Sequence, residues 1–81
     1  MMDLEFLQKV MDTWEEVESK QSRDELQSLG KAIRQQWTSL VQEFDNMFRD
    51  EKYDEIRNRL NELKYVERII EAIDEREMAM L

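Results

Sequence analysis

No proline interrupts these 81 residues and only one glycine does, while apolar side chains return every three or four positions almost from end to end. A chain without proline keeps its backbone amides available for helical bonding. Apolar residues at that period put one stripe of each helix against a core. The pattern therefore predicts an all-α protein, and its two polar interruptions divide it into three helices.

The first helix is expected over about residues 3–20, with the carboxylate of Asp3 as N-cap. Phe6, Val10, Trp14 and Val17 follow one another at four, four and three, and form its core stripe. Ser22 and Glu25 have the spacing of a capping box, in which the Ser hydroxyl takes the Glu amide and the Glu carboxylate reaches back to the Ser amide. The second helix then covers about 23–49. Leu26, Ile33, Trp37, Leu40, Phe44 and Met47 keep the seven-residue rhythm of helices packed nearly antiparallel. Gly30 within it marks either a close helix contact or a tolerated defect costing about 1 kcal/mol. After the polar stretch Asp50-Glu51-Lys52-Tyr53, a third helix is expected over about 53–75, with Ile56, Leu60, Leu63, Ile70 and Ile73 as its core and Glu55–Arg59 as a surface ion pair. The last residues, Glu77 to Leu81, are expected to fray. Short connections turn successive helices back on each other, giving one antiparallel, up-down-up three-helix bundle with Trp14, Trp37, Phe44, Leu60 and Leu63 in the core.

Several function classes are disfavoured. The chain has no histidine and no cysteine, which removes the commonest general base, the usual metal ligands and all disulfides. No phosphate-gripping glycine loop or nucleophile elbow is present. Glu15, Glu16 and Glu18, or Glu51, Asp54 and Glu55, could meet a hard cation, but acids on helices are ordinarily a solvated face. No enzyme activity, catalytic residue, metal or cofactor is expected. A net charge of −8 opposes binding to nucleic acid or to an anionic membrane and favours a partner with basic groups. Without a membrane-spanning run, a signal peptide or a cysteine, a cytoplasmic location is the simplest expectation.

The apolar residues that do not fit the core are more informative. Each helical residue advances about 100° around the axis, so Leu7 after Phe6 and Met11 after Val10 lie off the core stripe. Leu4, Leu7 and Met11 make a second ridge, continued by Glu15 and Glu18, with Asp12 further round. On the third helix Tyr65, with Ile69 a turn later, falls opposite the expected core face. These residues form either a binding patch or ordinary packing against two neighbours.

The run Asp3-Leu4-Glu5-Phe6-Leu7-Gln8-Lys9-Val10-Met11-Asp12, followed by Glu15-Glu16-Val17, resembles the start of the C-terminal domain of the J-type co-chaperone HscB. Leu63-Lys64-Tyr65 resembles the Leu-basic-aromatic signature of that domain's last helix, and the acidic turn between the two blocks also fits. The resemblance covers nearly the whole chain. It implies a three-helix bundle that grips an iron–sulfur cluster scaffold protein of the IscU type for delivery to an HscA-type chaperone. It also implies that Leu7, Met11 and Tyr65 are apolar contacts, with Asp12 and Glu15 polar contacts beside them and Lys9 near the face. Met11 stands where Leu is usual and Asp12 where Glu is common. The family's J-domain carries His-Pro-Asp, and with neither His nor Pro this chain resembles only the scaffold-binding part, with no J-domain present. The domain is expected to be a monomer in isolation. The alternatives are a generic helical homo-oligomerisation module, closed through Leu7 and Met11, or an acidic inhibitor of a basic partner.

Overall fold

The computed structural model describes residues 4–81. Three helices make up the fold: α1 (Leu4–Ser19), α2 (Arg23–Arg49) and α3 (Tyr53–Ala79). It is an all-α, up-down-up bundle, as the periodicity predicts. The expected Asp3 cap lies outside the described residues.

The junctions are built locally. At the start of α2 the Glu25 amide donates to the Ser22 hydroxyl at 3.2 Å. The return bond runs between side chains, the Ser22 hydroxyl donating to the Glu25 carboxylate at 3.2 Å. The end of α2 hides a device that no sequence signal announces. The Lys52 amide donates to the Met47 carbonyl and the Glu51 amide to the Phe48 carbonyl, the paired bonds of a Schellman motif. Glu51 occupies the position where glycine is usual, at a φ of 55°. A side chain there costs about 1–2 kcal/mol, partly offset by what glycine would lose in unfolded-state freedom. Glu51→Gly is therefore expected to stabilise the fold by about 0.5–1 kcal/mol, seen as a higher urea midpoint with unchanged slope. A lower midpoint would mean that Glu51 is needed for its charge.

A 27-residue helix is about 40 Å long and a 16-residue helix about 24 Å, which accounts for the 45 Å long axis of the molecule. Helices α2 and α3 form a hairpin along their whole length, and α1 covers only the half containing their open ends. Under α1 the core holds Leu26, Leu29, Ile33 and Leu40 of α2 against Val66, Ile69 and Ile73 of α3, with Val17 from α1. Trp14, Trp37 and Ile70 pack at its margin. Beyond α1, Phe44, Met47 and Ile56 close the hairpin in a smaller cluster that Leu63 joins to the first.

Gly30 marks a close contact. A Cβ added there would lie 3.3 Å from Cγ2 of Ile73, which is completely buried and has little room to give. The hairpin is also tied by an Arg34–Asp74 ion pair and by the Trp37 indole donating to Glu67 at 3.2 Å. Arg76 reaches from α3 to the carbonyls of Glu18 and Lys20. Its positive charge satisfies acceptors left open at the end of α1 and opposes that helix's dipole.

Helix α3 corrects several expectations. Leu60 is 53% exposed and is not a core residue, whereas Ile69, placed off the core by the sequence, is 4% exposed. Val66 and Leu29 are core residues that the expected stripes omit. The buried face of α3 is turned toward Val66 and Ile69 because this helix has two neighbours on different sides. Trp14 and Trp37 are half-buried rather than central. Arg59 pairs with Glu62 at 2.6 Å and Glu43 at 3.4 Å, where Glu55 was the expected partner. The hydrogen bond that Arg59 donates to the Glu62 carboxylate, then the charges of Glu62, Glu43 and Glu55, hold the Arg59 guanidinium pKa above its ordinary value against the opposing effect of burial. The C-terminal residues continue α3 to Ala79 instead of leaving the helix in the middle seventies.

A candidate partner-binding face on α1 and α3

Helices α1 and α3 run parallel. The rings of Phe6 and Tyr65 meet edge to face with centroids 5.5 Å apart and planes at 66°, and eleven residues later on α3 Arg76 meets the end of α1. Tyr65 is thus half-buried against α1, not directed away from the core side as the sequence pattern implies.

With Phe6, Val10 and Val17 turned inward, the 100° step fixes where the other residues of α1 stand. Leu7, 37% exposed, and Met11, 57% exposed, lie on one flank with Leu4 beyond them. Asp12 and Glu15 occupy the outward crest and are exposed. Asp12 accepts a hydrogen bond from the Gln8 side chain at 2.8 Å, which orients its carboxylate along the crest. Lys9 lies on the opposite flank from Leu7, since two residues turn about 200°. It borders a cleft of about 150 Å³ shared with Phe6, Val10, Gln36, Glu62 and Tyr65. The candidate residues therefore divide. Leu7, Met11, Asp12 and Glu15 form one continuous surface, Tyr65 stands at its border through Phe6, and Lys9 faces a recess on the opposite flank that Phe6 and Tyr65 also line. Phe6 was assigned to the core alone, and its role in seating Tyr65 was missed. The seven-residue spacing of Val66 and Ile73 was the signal that could have turned α3 correctly.

This surface is apolar with an acidic margin. Six acids and two bases in residues 3–20 give a net charge of −4, half the total of the chain. Among the described residues no group of three or more acidic, histidine or cysteine side chains could hold a metal ion, and no helix is long and apolar enough to cross a membrane.

A family model described as the HSCB C-terminal oligomerisation domain matches residues 2–74. A co-chaperone protein HscB homolog of Acinetobacter baylyi is 29% identical over 79 residues, covering 98% of this chain and 46% of the relative. HscB homologs of Acinetobacter baumannii match at the same identity and coverage. The chain thus spans about half the length of the curated relatives it matches. No solved structure matches it.

Proposed function

This chain belongs to the HscB C-terminal oligomerisation domain family, whose full-length relatives are named as co-chaperones, and from that membership we propose that it is the adaptor domain that binds an IscU-type iron–sulfur cluster scaffold, for delivery to an HscA-type chaperone in the cytoplasm. The observation that carries this reading is the exposure of Leu7 and Met11 on a rigid helix that otherwise carries acids. Exposed apolar side chains with a charged margin are the anatomy of a specific protein contact, an apolar centre within a polar rim. Leu7 and Met11 supply the centre with Tyr65 at its border, and Asp12 and Glu15 supply a rim that meets basic groups on the scaffold. Lys9, across the helix from Leu7, contributes at the edge of the recess.

Calorimetric titration of an IscU-type scaffold into the purified chain tests the pairing directly, and no heat of binding at high concentration would reject it. The rim makes a kinetic prediction. Reversing Asp12 and Glu15 to Lys is expected to slow association by about tenfold at low salt, with less effect on dissociation, and the difference should shrink as salt is raised. Association rates indifferent to both the substitutions and the salt would remove Asp12 and Glu15 from the contact.

A further inference from the structure

The recess beside Lys9 has a floor, a wall and a rim of different chemistry. Helix α1 leans on α3 more than on α2, so the groove between the three helices stays partly open where α2 borders it. Ile33 of α2 with Val66 and Ile69 of α3, all buried, form an apolar floor. The edge-to-face rings of Phe6 and Tyr65 form one wall. Lys9, Thr13, Gln36 and Glu62 complete the lining. Two of these polar groups are already engaged. The Thr13 hydroxyl donates to the Lys9 carbonyl at 2.8 Å, and the Glu62 carboxylate accepts from Arg59 at 2.6 Å. Among the described residues the Lys9 ammonium belongs to no ion pair.

We propose that this recess is a binding site for a small aryl carboxylate, with the ring on the apolar floor beside Phe6 and Tyr65 and the carboxylate at Lys9. Volume sets the size of the ligand. The recess holds about 150 Å³, the space in which an apolar cavity accepts a single benzene ring, whereas drug-sized ligands occupy about 300 Å³ or more. The wall sets its type, since a third ring can pack against the Phe6–Tyr65 pair in the offset or edge geometry that aromatic rings prefer. Charge sets its sign. The net −8 of the chain disfavours anions at long range, but that field is screened beyond about 10 Å in ordinary salt. Within the lining, Arg59 neutralises Glu62, which leaves Lys9 as the uncompensated charge. A cation would face Lys9 unfavourably, and an uncharged ring would leave it unused. A phenylalanine side chain of a protein partner has the ring without the acid, and an uncharged amide of the ligand stands in for it.

Titration of phenylacetate into the isotope-labelled whole chain, followed by amide chemical shifts, tests the proposal. A ligand this small is expected to bind with a Kd of about 1 mM, moving the signals of Phe6, Val10, Ile33 and Tyr65 most. Phenylacetamide should bind about fivefold more weakly, the scale of a partly exposed ion pair. In Lys9→Met the acid and the amide should bind alike, which assigns the difference to that ammonium by a double-mutant cycle. Thr13→Leu adds apolar volume at the rim with a better helix former and should lower affinity for both ligands by about tenfold or more. Val10→Phe fills the recess from inside and decides if Thr13→Leu fails to fold. No shifts at about ten times the expected Kd, shifts centred elsewhere, an amide that binds the wild type as well as the acid, or binding that survives both filling variants overturns the proposal. None of these readings needs the scaffold, so failure of the adaptor reading leaves the site standing, and failure here leaves the adaptor reading untouched.

Discussion

Replacing Leu7, Met11 and Tyr65 together by alanine is expected to lower affinity for an IscU-type scaffold by about a hundredfold or more, or roughly 2.7 kcal/mol, while the molecule keeps its helical spectrum and a cooperative melt. Interfaces draw most of their energy from a few apolar anchors, with truncations at hot spots costing about 2 kcal/mol or more each and not adding simply. The stability cost is unequal among the three. Leu7 and Met11 already face solvent for much of their surface, so each is worth little to folding, within about 1 kcal/mol. Tyr65 loses its edge contact with Phe6, worth about 0.5–1.5 kcal/mol beyond its buried area. The Leu7→Ala, Met11→Ala pair therefore separates binding from stability more cleanly, and Tyr65→Phe keeps the ring contact while removing the hydroxyl. Calorimetry and melts on the same preparations read both quantities. Unchanged affinity in the triple variant would reject the face, and a collapsed melt in the Leu7 and Met11 pair would return those residues to the core.

Ile73→Ala is expected to cost about 2–5 kcal/mol, the range for truncating a buried aliphatic side chain that leaves a cavity. Ile73 is wholly buried between α2 and α3, with Gly30 against it. Domains of this kind are stable by only about 5–15 kcal/mol, so the melting temperature should fall by about 10 °C or more. Leu60→Ala provides the contrast. Sequence periodicity places both residues in one core stripe, yet Leu60 is exposed and its truncation should stay within about 1 kcal/mol of wild type in urea unfolding. Equal and large losses at both positions would mean that α3 is turned differently about its axis.

That contrast shows where the sequence was legible. Helix α2 faces one way along its length, so Leu26, Ile33, Leu40 and Met47 at strict sevens identify its buried side without ambiguity. The capping box dates the start of α2 to the residue. Helix α3 carries apolar residues over a wider arc, from Tyr53 and Leu60 on one side to Ile69 on the other. Periodicity yields one mean direction, but among the described residues α3 packs on α2 alone near Ile56 and on both α1 and α2 near Val66 and Ile69. The buried stripe shifts accordingly, which released Leu60 and drew in Ile69 and Tyr65. The turn at Glu51 was illegible for another reason, since its positive φ is met without the glycine that usually reports it. At the candidate face, the off-stripe positions of Leu7 and Met11 could be read from α1 alone. The place of Tyr65 could not, because it depends on how two distant helices are set against each other.

The parallel pairing of α1 with α3 makes the candidate face a composite epitope. Phe6 and Tyr65 come from opposite ends of the chain and meet only after α2 has carried it out and back. A synthetic peptide copying α1 would display Leu7 and Met11 but no tyrosine border, and without α3 it would lose the Arg76 tie at its end. A helix of that length is marginal alone in water. Recognition of the whole face is thereby conditional on tertiary folding: a partner that requires Tyr65 beside α1 distinguishes the finished bundle from any linear stretch of its sequence.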